Sequence, residues 1–170
     1  IGFSWGQSDQ QIEITWFDQE IDNEIYFDMA SFSGYLQGTG TTSSQGLELS
    51  GETAFLTHWR LLANITWNET ESNTKQQRPY RPEWAAASTL LWQDRSVVAA
   101  LTARFTRDSV DTFGAPMPNT ERLDASVALS VTQSLRITAR IENLTDNQDA
   151  QVRDYNQIPR AAYLGLRYSI

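Results

Sequence analysis

Cysteine is missing from all 170 residues, so neither a disulfide framework nor a thiolate metal site can form. Histidine occurs once, as His58, which would leave a zinc ion to carboxylates alone, an unusual donor set. Lysine also occurs once, at Lys75, and the remaining basic residues are arginines. Acidic residues outnumber them, giving a formal charge of −8 and a pI near 4.6. A nucleic-acid surface would be basic, so the balance argues against that class of partner. Long apolar runs are missing too. None approaches the ~18 residues of a membrane-spanning helix, and the mean hydropathy is −0.46. Hydropathy alone would place such a chain in water. Transmembrane β-strands evade that test, because they alternate lipid-facing with lumen-facing residues and average out as polar.

Helical periodicity is absent as well, and what recurs from end to end is alternation of period two. Ala162, Leu164, Leu166, Tyr168 and Ile170 fall on one face of the last segment, opposed by Ala161, Tyr163, Gly165, Arg167 and Ser169. Leu135, Ile137, Ala139 and Ile141 alternate with Arg136, Thr138, Arg140 and Glu142. Leu123 to Val131 and Val97 to Phe105 repeat the pattern, as do stretches 84–92, 59–67, 47–55 and 12–27. A fragment at 1–5 looks like the end of one more strand, making nine expected segments. The chain begins on Ile1, with no basic segment leading into an apolar run. It is therefore read either as following a cleaved signal or as cut from something longer.

The connections alternate in length. Short ones are expected at 7–10, 56–58, 94–95 and 132–134, and long polar ones at 28–45, 68–81, 107–120 and 143–159. Outer-membrane barrels show this asymmetry, with tight periplasmic turns and long extracellular loops. Register agrees: keeping Val131 and Leu135 on one face requires a three-residue loop. Trp59 and Trp67, like Trp84 and Trp92, stand eight residues apart on one face. At ~3.3 Å per residue and a tilt near 40°, each pair spans roughly 20 Å of height, close to the separation of the aromatic girdles that flank a barrel's apolar band. The competing architecture is a soluble β-sandwich that buries these tryptophans. Its inner face would be richer in large residues than these Ala-, Val- and Leu-filled faces.

Residues 143–170, reading NLTDNQDAQVRDYNQIPRAAYLGLRYSI, resemble the C-terminal signature of TonB-dependent receptors. The matching positions are Asn143, Leu144, Asp146, Tyr155, Arg160, Tyr163, Leu164, Gly165 and Tyr168, with a spacing similar to the cobalamin-receptor branch. QGLELSGE at 45–52 is similar to the family's Gly-hydrophobic-Glu strand, and RPYRPEW at 78–84 to its Arg-Pro strand start. The chain departs from the pattern at Pro159, where Gly is common, and at Ile170, where Phe is usual. The resemblance implies an all-β, antiparallel up-and-down transmembrane barrel of 22 strands. Residues 1–170 would be the C-terminal segment of that barrel domain. The N-terminal plug domain and the TonB box would lie outside this chain.

No catalytic residue, cofactor or metal site is expected. His58 falls in a short turn, and Ser109 with Asp108 or Asp111 lacks a histidine to complete a nucleophilic centre. The alternating faces place Glu13, Glu48, Glu52, Arg60, Arg104, Asp124, Arg136, Arg140, Glu142 and Arg167 on the polar side. There they would pair across strands or meet a plug. Trp59, Trp67, Trp84, Trp92 and Tyr168 are the expected membrane-interface aromatics. Candidate ligand contacts in the long loops are Arg78, Tyr80, Arg81, Arg153, Asp154 and Tyr155, since Arg and Tyr can grip anionic or aromatic ligands. Residues 28–45, rich in Gly, Ser and Thr, are expected to form a mobile loop.

The resemblance implies a bacterial outer-membrane importer of a scarce nutrient such as a ferric siderophore or cobalamin. Its partners would be outer-membrane lipid, the remaining barrel strands and plug, the TonB complex through the N-terminal region, and a metal chelate. The alternative is a complete eight-stranded barrel starting at Gln11, with a structural or adhesive role.

Overall fold

The computed structural model describes residues 1–7, 9–28 and 31–169. Among them the chain forms β1 (Gly2–Gln7), β2 (Gln10–Asp22), β3 (Ile25–Phe27), β4 (Tyr35–Gln37), β5 (Thr41–Phe55), β6 (Trp59–Glu71), β7 (Trp84–Gln93), β8 (Val97–Arg107), β9 (Thr120–Ser130), β10 (Leu135–Glu142) and β11 (Ala161–Tyr168). Nine of these make one antiparallel sheet in the order β1-β2-β5-β6-β7-β8-β9-β10-β11, while β3 and β4 form a separate hairpin. Thr, Val, Ile and Trp fill the strands, residues that fit a pleated and half-covered surface.

Each strand packs only against its ladder neighbours. No hydrophobic residue among the described ones is buried. A sandwich requires a second layer and a core between the layers, so that architecture is excluded. The eight-stranded alternative also fails. β2 is hydrogen-bonded to β1 on one side and β5 on the other, leaving β11 no free edge on which to close.

Connections alternate as expected, with short ones at one end of the sheet and long ones at the other. Phe55 pairs with Trp59 around a three-residue turn. Val131 donates to the Leu135 carbonyl at 2.9 Å around another. The β7–β8 turn sits one residue later than 94–95: Asp94 donates to the Val97 carbonyl at 2.9 Å, so Arg95 and Ser96 form the tip. Both placements keep Trp92 and Val97 on one face, and alternation cannot separate them. Stretch 12–27 is not one strand. Asn23 takes a left-handed conformation (φ 55°) that ends β2 and starts the β3–β4 excursion. Residues 41–45 belong to β5 rather than to a loop, because they pair with the far end of β2, Asp22 against Thr41. β6 likewise continues past Asn68 to Glu71. Ser8 of the first turn, Met29 and Ala30 of the expected loop, and Ile170 of the last apolar face lie outside the described residues.

Candidate functional site

Two surfaces and one loop cluster are candidates. Register lines up the apolar faces without a break. Trp5 sits opposite Ile12, Ile14 opposite Leu49, Leu49 opposite Ile65, Leu61 opposite Leu90, Leu90 opposite Leu101, and Ala139 opposite Leu164. Trp59 pairs directly with Trp92, and eight residues along Trp67 pairs directly with Trp84. The tryptophans expected at the interfaces thus form two cross-strand pairs, and Tyr168 shares their face opposite Leu135. Sequence reasoning missed two members. The Trp16 ring lies 6.3 Å from that of Trp67, and Phe55 stacks on Trp59 at 6.3 Å. Only the β2–β5–β6 register reveals that these four aromatics sit at two levels.

The opposite face carries the predicted charges. Arg60 pairs with Glu52 at 2.5 Å, and Gln11 donates to Glu13 at 2.6 Å. Asp124 accepts from Arg104 at 2.5 Å and from Arg122 at 2.8 Å. Glu142 lies 3.4 Å from both Arg122 and Arg140, whose guanidinium lies 4.3 Å from the Tyr163 ring centroid. Arg122 was not singled out from the sequence, although its alternation with Leu123 put it on this face. Glu48, Arg136 and Arg167 share the face and make no ion pair among the described residues.

At the long-loop end, each loop is tied to the next. Arg78 reaches Glu24 at 2.5 Å, and Asn73 donates to the Thr39 carbonyl at 3.0 Å, joining residues 72–83 to the β3–β4 excursion. The Tyr80 amide donates to Val110 and the Gln77 side chain to the Asp108 carbonyl, joining the same loop to residues 108–119. Arg153 pairs with Asp111, joining residues 108–119 to residues 143–160. Asp111 is 1% exposed, and its other carboxylate oxygen accepts from the amides of Phe113 and Ala115 at 2.8 and 2.9 Å. Burial pushes this carboxyl up, but the two amides and Arg153 outweigh it, so it lies below the usual carboxylate range.

The family-like signature has a structural use at this end. Asn143, 3% exposed, donates through its side chain to the carbonyls of Asn147 and Ile158. The Asp146 carboxylate accepts from the Arg160 amide at 2.8 Å. Asn143 and Asp146 both adopt positive φ, which their short polar side chains tolerate. Together they clamp the base of the last long loop.

Of the loop candidates, Arg78 and Arg153 are therefore held in ion pairs. Arg81, Asp154 and Tyr155 are exposed, Tyr155 at 72%. No hydrogen bond or ion pair among the described residues joins these three. An aromatic cluster that the sequence did not suggest lies on the β3–β4 excursion: the Phe27 ring is 6.0 Å from Phe32 and 5.5 Å from Tyr35, both edge-on.

Comparison with known proteins places this architecture. The family model described as TonB dependent receptor-like, beta-barrel matches residues 1–144. No curated protein matches the chain. Among solved structures, a copper transporter, OprC, is similar with a TM-score of 0.82 at 14% identity, over 99% of this chain and 30% of that one. The siderophore receptor PiuA from Acinetobacter baumannii is similar with a TM-score of 0.80 at 16% identity, over 98% of this chain and 27% of that one. The ferric yersiniabactin uptake receptor FyuA from Yersinia pestis gives 0.77 at 15%, over 98% and 28%. The chain thus spans less than a third of the length of each of these proteins.

Proposed function

Because this chain belongs to the TonB-dependent receptor-like β-barrel family, whose place is the outer membrane, we propose that it forms part of the barrel wall of an energy-coupled importer. The cargo class is a scarce, bulky nutrient, with a metal chelate such as a ferric siderophore favoured over cobalamin. The single observation that carries this reading is the open, single-layer meander. One of its faces is apolar from β1 to β11 between two levels of aromatics, and the other is charged. Lipid suits the first face and a watery or protein-filled lumen the second. The long-loop end faces the exterior, where Arg81, Asp154 and Tyr155 remain free of the ties that hold Arg78 and Arg153. The remaining strands and a plug domain come from elsewhere in the receptor, and the TonB complex engages a region outside this segment.

Solved structures of similar fold support a metal-bearing cargo, since they are named as a siderophore receptor, a ferric yersiniabactin uptake receptor and a copper transporter. The test expresses the complete receptor in a Gram-negative strain stripped of its own siderophore receptors. Uptake of radiolabelled iron as a ferric catecholate, and of labelled cobalamin, is measured with and without a protonophore. The reading predicts iron uptake that collapses when the proton gradient is dissipated. A receptor correctly placed in the outer membrane that imports neither, or imports regardless of the gradient, contradicts it.

A further inference from the structure

The charged face of β8–β11 carries two arginine pairs in direct register, and only one pair is neutralised within the sheet. Arg104 stands opposite Arg122, and Asp124 contacts both, at 2.5 and 2.8 Å. Glu142 adds a second contact to Arg122 at 3.4 Å. Arg136 stands opposite Arg167 in the same way. Among the described residues neither makes an ion pair or a side-chain hydrogen bond. Like charges directly opposite on one face of a sheet are destabilising. The only acids on this face of β9–β11 are Asp124 and Glu142, at the other end of the strands and already engaged.

A depression lies beside Arg136 on this face. Thr138 pairs with Gly165, one row from the Arg136–Arg167 pair. A Cβ at position 165 would come within 2.6 Å of the Thr138 hydroxyl, so glycine keeps the floor open there. Ser126, Arg136, Thr138, Arg140 and Tyr163 line the depression on this face together with the apolar Val98 and Ala128, and Arg167 stands outside it, across the ladder from Arg136. Guanidinium forks and hydroxyls are the donors that bind oxyanions, often two bonds at a time.

We propose that Arg136 and Arg167, flanked by Thr138 and Arg140, form an oxyanion site that takes a carboxylate or phosphate group. The proposal rests on the reading that this face lines the barrel lumen. The oxyanion can come from an acidic side chain of a segment enclosed by the barrel or from a free solute, and one experiment separates the two.

Arg136→Gln and Arg167→Gln are made in the complete receptor, with Arg95→Gln, at the tip of a short turn, as control. Thermal midpoints are measured in low-salt detergent buffer, with and without inorganic phosphate or citrate. A filled site predicts that both variants melt below the wild type and below the control. If a free solute fills it, added phosphate or citrate raises the wild-type midpoint saturably, and either variant needs about tenfold more anion for the same rise, the loss expected for one charged hydrogen bond. If a protein carboxylate fills it, added anion leaves the wild-type midpoint unchanged while both variants still fall. An empty pair predicts the reverse sign, because removing either arginine relieves repulsion. Midpoints that rise, or that match the control, overturn the proposal. No readout involves transport, so failure here leaves the importer reading intact, and failure of uptake leaves this result interpretable.

Discussion

Leu90 and Leu101 face each other across β7 and β8, on a row between the Trp59–Trp92 pair and the Trp67–Trp84 pair. Thr102, the next residue, points to the other face, where its hydroxyl lies 2.9 Å from that of Thr89. Arginine at 101 would stand in hydrocarbon, whereas at 102 it would stand among charged neighbours. Leu101→Arg should therefore destabilise the receptor by about 2–4 kcal/mol in a bilayer, and Thr102→Arg by much less. Folding titrations into lipid vesicles measure both. Equal penalties, or the reverse order, would mean the faces are assigned wrongly.

A second prediction concerns Gly46, which lies opposite Phe17 on one side and Asn68 on the other. A Cβ there would meet the Trp67 carbonyl oxygen at 2.2 Å and the Phe17 ring at 2.5 Å. The ring can turn away, but the carbonyl is fixed in the ladder. Gly46→Ala should cost about 1–3 kcal/mol, as overpacking usually does. Adding Phe17→Ala should not recover it, and urea unfolding of both variants decides the point.

These two positions show what alternation makes legible. The two faces of the sheet follow from residue parity, so the charges singled out from the sequence share one face and the tryptophans the other. Register is a different quantity. The β7–β8 turn slides by one residue without changing any face, and Asp94-Arg95 offers no glycine to pin it. Residues 41–45 carry the Ser and Thr of a loop, yet they continue β5 because Gln19–Asp22 offers them a partner edge. The loop ties were not legible at all. Arg78 finds Glu24 across 54 residues and Arg153 finds Asp111 across 42, with no periodicity connecting either pair. The reason for the NLTD signature, a clamp on the loop base, also emerges only when Asn147 and Ile158 are seen beside Asn143.

The Asp111–Arg153 tie should respond to acid. The folded carboxyl lies below its ordinary value of 3.8, so the tie is complete above that value. It is lost as pH falls through the depressed folded value. Limited proteolysis of the complete receptor should leave residues 108–119 and 143–160 protected from neutral pH down to about 4. Asp111→Asn keeps an acceptor for the Phe113 and Ala115 amides but turns a donor toward Arg153. It should expose both loops to cleavage at neutral pH. Unchanged cleavage in the variant would show that the tie does not hold the loops.

Orientation is tested by single cysteines in a chain that has none of its own. Placed at Thr74, Phe113 and Gln148 in the long loops, they should react with an impermeant maleimide added to intact cells. At Gln133, in a short turn, a cysteine should react only after the outer membrane is opened. The opposite pattern would invert the assignment of the two ends.

This segment is expected to close a barrel only together with other strands. β1 and β11 are the outer strands of the sheet and are not paired with each other. An unpaired strand edge in hydrocarbon leaves N–H and C=O groups unsatisfied at several kcal/mol each, so it must find a partner. Refolding of residues 1–170 in detergent, alone and together with the remaining barrel strands of a complete receptor, is monitored by heat-modifiable gel migration. The segment alone should aggregate, and a compact, heat-modifiable species should form only in the mixture. A monodisperse, heat-modifiable monomer of residues 1–170 with full strand content would contradict it.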